Sequence, residues 1–140
     1  MKRYITTSFI YALIAMAGGV FFREFTKFNG FTSKTALGVV HTHYFLLGMV
    51  FFLILLMLEK LFQFTKPKTQ KILIAYQVGL NIFGIMLLVR GILQVLGTKL
   101  DNGLDFAISG IAGIGHVLLG VSLILILLEI RKVVKENKSN

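Results

Sequence analysis

Four long apolar segments constrain what this chain can fold into. They cover residues 5–25, 36–62, 72–96 and 104–133. Each is long enough to cross a bilayer core of roughly 30 Å, which takes about 20 helical residues. Only 15% of the residues are charged, and the mean hydropathy is +0.81, as in membrane proteins. Because segments of this length satisfy their backbone groups in lipid as helices, the sequence predicts four transmembrane helices.

The three connections between these segments are short, about ten residues or fewer, and carry turn-forming residues such as Pro67. Short connections force neighbouring spans to run antiparallel. We therefore predict an all-α, integral membrane four-helix up-down bundle. The first segment ends without a small-x-small cleavage site, so we interpret it as a retained span and not as a cleaved signal peptide.

The basic residues near the span ends predict the orientation of the bundle. Ten lie on the side of the two termini and five on the other, which by the positive-inside rule places both termini in the cytoplasm. We expect a multi-pass protein of the bacterial cytoplasmic membrane, with a transmembrane domain over residues 1–133 and a polar cytoplasmic tail over 134–140. The positive charge serves orientation in this interpretation and not nucleic-acid binding. The ten are Lys2, Arg3, Lys60, Lys66, Lys68, Lys71, Arg131, Lys132, Lys135 and Lys138.

Few ionisable residues lie inside the predicted spans, and such residues commonly mark functional sites in membranes. They include all three histidines of the chain, His41, His43 and His116, together with Arg23 and Arg90. Helical rise places them in the half of the bilayer away from the cytoplasm or near its centre. Each has a simpler explanation: Arg23 could reach the headgroups, Arg90 could be a paired structural arginine instead of an anion site, and each histidine could hydrogen-bond between helices.

His41 and His43 are two positions apart, so they point about 200° away from each other around a helix. They cannot both bind one metal ion from a regular helix, and no Cys, Asp or Glu lies nearby to complete such a site. This spacing argues against a chelated zinc or copper ion. It leaves open two separate sites, or one ligand beside one hydrogen-bonding residue.

Small residues accompany two of the candidates. Ser109, Gly113, His116 and Gly120 form one stripe of the fourth span, which could admit either a neighbouring helix or a flat ligand. A similar face of the first span ends at Arg23, so we expect this arginine on the packed side. Its other members are Ala12, Ala15 and Gly19.

The run VHTHYFL over residues 40–46 resembles the tenth transmembrane helix of haem-copper oxidase subunit I. The resemblance implies that His41 ligates a high-spin haem, and that His43 ligates a low-spin haem on the opposite face of the helix. His116 would then supply the remaining axial ligand, and Arg23 and Arg90 would pair with haem propionates.

The chain departs from the oxidases in ways that limit this resemblance. It has four spans instead of twelve, and no histidines remain for a copper site, so oxygen reduction by the oxidase mechanism is not expected. The oxidase subunit is a pseudo-threefold array of four-helix units, which implies a homotrimer here. The whole chain also resembles an uncharacterised family of four-span bacterial membrane proteins, a likeness that supports the topology alone.

These features predict a membrane haem b protein, with His43 and His116 as axial ligands, for electron transfer or haem handling. A small oligomeric proton-linked transporter or channel is the first alternative, in which the histidines relay protons and Arg90 meets an anion. An accessory subunit of a membrane complex is the second. No nucleophile-base pair or phosphate loop indicates a hydrolase or transferase, which leaves a redox role as the enzymatic activity to consider.

Overall fold

The computed structural model describes residues 1–137 as four long helices, without a strand in that part of the chain. They are α1 (Lys2–Phe28), α2 (Leu37–Phe62), α3 (Pro67–Val95) and α4 (Asn102–Glu136), and each is long and apolar enough to cross a membrane. The predicted all-α, multi-pass fold is confirmed. Three of the helices, α1, α3 and α4, begin before the predicted spans, most clearly α3, which has a proline in its first turn.

The two termini of the helical region lie at the same end of the bundle. The Tyr4 hydroxyl at the start of α1 lies 2.5 Å from Thr65 Oγ1, just before α3. Lys68 Nζ at the start of α3 lies 2.7 Å from Glu129 Oε1 near the end of α4. We call this the basic end. That it faces the cytoplasm stays a prediction.

At the opposite end of the bundle, which we call the distal end, polar side chains of α3 bind groups at the starts of α2 and α4. Gln94 Oε1 accepts a hydrogen bond of 2.8 Å from the backbone N–H of Ala36, at the start of α2. Arg90 Nη2 lies 2.7 Å from Asp105 Oδ1 in the first turns of α4. The contacts at the two ends confirm the up-down topology.

The main helix contacts follow chain order: α1 packs on α2, α2 on α3, and α3 on α4. The backbones of α3 and α4 lie in close contact. A Cβ built on Gly79 would lie 2.6 Å from Leu119 N. A Cβ on Gly115 would likewise lie 2.8 Å from Phe83 N. Small residues permit such close approach between membrane helices, where van der Waals packing drives association.

The middle of α2 is a π-helical segment, Tyr44–Val50, which begins immediately after His43. Side chains of the two flanking helices donate to its carbonyl groups: Tyr76 Oη lies 2.8 Å from Leu47 O, and Ser8 Oγ lies 2.9 Å from Met49 O. π-Helical turns are rare and occur frequently at functional sites. Here the segment is held from both sides, by α1 and by α3.

A polar bridge near the middle of the bundle joins α1, α2 and α3. Asn81 Nδ2 donates to Tyr11 Oη at 3.0 Å, and Tyr44 Oη lies 3.4 Å from Asn81 Oδ1. The rings of Tyr11 and Tyr44 are stacked, with centroids 5.8 Å apart. Because buried polar groups are costly in lipid unless paired, this bridge fixes the positions of the three helices.

The predicted polar tail, residues 134–140, begins inside α4, because the helix continues to Glu136. Val133 is buried, and Val134 packs against the core. Residues 138–140 lie outside the described residues.

Candidate functional site

His43 is the last residue before the π-helical segment of α2, and its ring is held in one orientation. Its Nδ1 lies 2.7 Å from the carbonyl oxygen of Val39, one turn earlier. A carbonyl can only accept, so Nδ1 carries a proton, and Nε2 is the ring nitrogen left for another partner. Histidines that ligate metals are typically oriented by this kind of bond. His43 is partly exposed, at the surface of the protomer.

Phe83 of α3 is the common neighbour of His43 and His116. Its ring centroid lies 5.2 Å from that of His43, at an interplanar angle of 63°, and 4.8 Å from that of His116, at 72°. The imidazoles of α2 and α4 are therefore brought to the same region, at most about 10 Å apart, which is the sum of these two distances. Each imidazole contacts Phe83, and no ring contact between His43 and His116 is found among the described residues.

The glycines of the small-residue stripe around His116 face away from their own bundle. A Cβ added to Gly113 or Gly120 would meet nothing within 4 Å, and His116 is exposed. α4 packs against α3 through a different glycine, Gly115. The two glycines therefore do not pack against a helix of the same chain, whereas Ser109 and His116 contact Arg90 and Phe83 of α3. A flat ligand or another molecule remains.

His41 points to the other side of α2, as its spacing from His43 predicts. Its ring stacks on Phe22 of α1, with centroids 6.3 Å apart, and a Cβ on Gly19 would lie 3.7 Å from its Cγ. Its Nδ1 is buried and has no hydrogen-bond partner among the described residues. The structure therefore separates His41 from His43 and His116 and covers it with α1.

Arg90 binds groups of its own chain. Its Nη2 lies 2.7 Å from Asp105 Oδ1 and 2.7 Å from Ser109 Oγ, both on α4. This is the arrangement of a paired structural arginine. The contact also ties the first residue of the small-residue stripe to α3.

Arg23 does not lie on the packed side of α1, and that prediction was wrong. Its side chain is 80% exposed, and its Nε lies 3.7 Å from Glu24 Oε1. The physical reason is the start of α2: a Cβ on Gly38, its second residue, would lie 3.5 Å from the ring of Phe22. Arg23 follows Phe22 along α1, and it lies at the level where α2, the helix that covers this side of α1, begins.

Residues 1–137 contain no group of three or more His, Cys, Asp or Glu side chains that could hold a metal ion. What the structure assembles is a face of α2, α3 and α4 with two imidazoles and a phenyl ring, bordered by glycines that leave the surface of α4 open. We call this the histidine face, defined by His43, Phe83, Gly113, His116 and Gly120. It presents nitrogen ligands on an apolar surface, which suits a flat, metal-containing ligand more than a chelated ion.

Comparisons with other proteins bear on the topology. No curated protein matches the chain, and no solved structure matches it. A family model described as "Protein of unknown function (DUF2871)" matches residues 1–133, which include α1, α2, α3 and most of α4. This agrees with the predicted membership of an uncharacterised four-span family. The chain belongs to the DUF2871 family of proteins of unknown function.

Proposed function

We propose that this chain is a membrane b-type haem protein, with the haem bound at the histidine face and His43 as an axial ligand. The observation that carries the proposal is the 2.7 Å contact from His43 Nδ1 to Val39 O, which leaves Nε2 as a free nitrogen ligand on an apolar surface. The iron of such a haem would supply one-electron transfer.

His116 of a second copy is the other axial ligand in this proposal. Within one chain, the His43 and His116 rings each contact Phe83, and no ring contact between the two histidines is found among the described residues. An exposed imidazole in the middle of a membrane helix is costly in lipid, and a neighbouring subunit or a ligand would remove that cost. The open surface at Gly113 and Gly120 gives a flat ring room to approach α4. At least two copies are needed, and the oxidase resemblance favours three.

The two arginines differ in what they offer to haem propionates. Arg23 is exposed, and its contact with Glu24 is long, at 3.7 Å, so its guanidinium is available to a carboxylate. Arg90 already binds Asp105 and would have to share its charge. Because α1 lies on the His41 side of α2, Arg23 would reach a haem at the histidine face from a neighbouring copy, whereas Arg90 contacts Ser109 of the stripe in its own chain.

Two imidazole ligands would leave no open position on the iron. Such a haem favours electron transfer or haem handling over reactions with oxygen. The residues of the chain would bind and orient the haem and exclude water from it. His41, covered by α1 on the other side of α2, is not needed in this arrangement.

A transporter or channel has less support, because the arginine that would meet a solute anion is paired with Asp105 and Ser109. An accessory role in a larger complex is an outcome of the experiment below.

The test is the absorption spectrum of the protein purified in mild detergent from haem-replete cells. We expect a Soret band that is lost in His43→Ala and in His116→Ala and kept in His41→Ala, the matched control on the other face of the same helix. Colourless wild-type protein after haem supplementation, or a Soret band that survives in His43→Ala, would overturn the proposal. Colourless protein that co-purifies with a partner would favour the accessory role.

A further inference from the structure

A cleft at the basic end of the bundle lies apart from the histidine face. It runs between the first turns of α1 and α3, which are not closely packed against each other, and its floor is formed by α2. Its volume is about 690 Å³, within the range of roughly 300–1,000 Å³ that is typical of ligand sites. The cleft is thus large enough for part of a lipid molecule.

The mouth of the cleft is positively charged. Lys2 and Arg3 line it, and neither forms a salt bridge in the described part of the chain. Arg3 Nη1 makes one long hydrogen bond, 3.5 Å, to Gln70 Oε1. The carboxylate of Glu59 also borders the cleft, but Thr65 donates to it from both N, at 3.0 Å, and Oγ1, at 2.6 Å. The cleft is therefore lined by two cationic side chains, Lys2 and Arg3, and by one carboxylate, that of Glu59, which already accepts two hydrogen bonds.

The walls of the cleft change character along its length. Hydroxyl groups of Thr6 and Thr7 lie near the cations, and Leu73, Ile74 and Phe52 form an apolar part farther along. Above it, the hydrogen bond between Asn81 and Tyr11 joins α3 to α1. A second, smaller cavity of about 370 Å³ between the same two helices is lined by apolar residues such as Ile14, Ile85 and Leu88. Of these two cavities, the cleft at the basic end is the one that combines a positively charged mouth with an apolar wall.

We propose that an anionic phospholipid binds in this cleft, with its phosphate at Lys2 and Arg3 and an acyl chain along Leu73 and Ile74. The charge of the mouth complements a lipid phosphate, and the apolar wall has no role in binding a free anion. The cleft lies at the predicted cytoplasmic end, where anionic headgroups attract basic residues near the membrane surface. This proposal is independent of haem binding.

The test is native mass spectrometry of the full chain in mild detergent, titrated with phosphatidylglycerol or with phosphatidylcholine of the same acyl chains. We expect phosphatidylglycerol to be retained and phosphatidylcholine to be lost at the same concentration. Arg3→Gln should weaken phosphatidylglycerol binding about fivefold, the equivalent of about 1 kcal/mol for one basic residue at an anionic surface. Lys27→Gln, at the other end of α1, is the charge-matched control and should leave binding unchanged.

A second pair of variants tests the apolar part of the cleft. Ile74 is 60% exposed, so Ile74→Trp should fold and should fill the cleft, which releases the lipid. Ile85→Trp places the same ring at the upper cavity and should keep the lipid bound. Equal retention of both lipids, unchanged binding in Arg3→Gln or Ile74→Trp, or release of phosphatidylglycerol by excess inorganic phosphate alone would overturn the proposal.

Discussion

Replacing Gly79 with alanine is expected to force α3 and α4 apart. The new Cβ would lie 2.6 Å from Leu119 N and 3.0 Å from Gly115 O, whereas ordinary contacts are 3.4–4 Å. Both neighbours are backbone atoms, so no side chain can move aside, and the helices must separate by roughly 1 Å. Overpacking of this kind costs about 1–3 kcal/mol, and the better helix propensity of alanine returns up to about 1 kcal/mol. We predict a net loss of roughly 1–2 kcal/mol.

The assay is thermal unfolding in detergent, followed by circular dichroism. For a chain of 140 residues the predicted loss lowers the Tm by roughly 3–7 °C. Gly110→Ala is the matched control, because it gains the same helix propensity and its Cβ would meet nothing within 4 Å. A Gly79→Ala protein with a Tm equal to or above that of Gly110→Ala would refute the close contact between α3 and α4.

Two further predictions concern hydrogen bonds and charge. Tyr76→Phe removes the donor to Leu47 O in the π-helical segment, and we expect a loss of about 1 kcal/mol in the same assay, because a part-buried hydrogen bond is lost. An unchanged Tm would show that this bond does not hold the segment. Arg90→Gln removes the contacts to Asp105 and Ser109. Because the Arg90 and Asp105 side chains are 35% and 51% exposed, we expect the free energy of unfolding to fall by about 1 kcal/mol or less, and this loss should decrease with added salt. A larger loss that is insensitive to salt would indicate a buried role for this arginine.

The four helices could be predicted from the sequence because segment length and hydropathy report directly on what a bilayer requires. The residues at which these helices begin and end could not be predicted in the same way. α3 begins at Pro67, before the apolar segment, because Lys68 and Lys71 can extend from a helix into the headgroup region although they lower the hydropathy. The hydropathy signal therefore marks where lipid contact starts and not where the helix starts.

Two internal features went unpredicted for different reasons. Asn81 can be recognised in the sequence as an amide within an apolar segment. Its hydrogen-bond partners, Tyr11 and Tyr44, lie on other helices and cannot be identified until the packing of the helices is known. The π-helical segment Tyr44–Val50 carried no signal, because its sequence is almost wholly apolar and hydrophobic periodicity cannot reveal a locally wider turn there.

Of the candidate site, only the features that depend on a single helix could be predicted from the sequence. The opposite directions of His41 and His43 follow from about 100° per residue, and the structure confirms them. The position of Phe83 beside both His43 and His116 depends on how α3 sits against α2 and α4. The pairing of Arg90 with Asp105 likewise depends on the register of α3 on α4, which is set by backbone contact at Gly79 and Gly115.

Mixing two inactive variants tests the haem proposal most directly. His43→Ala and His116→Ala chains, each colourless alone, are co-expressed with different affinity tags, and complexes carrying both tags are purified. If haem is held by His43 of one copy and His116 of its neighbour, mixed complexes contain intact sites, and a Soret band returns at a fraction of the wild-type intensity. Mixed complexes that stay colourless while wild-type chains bind haem would contradict a site shared between copies.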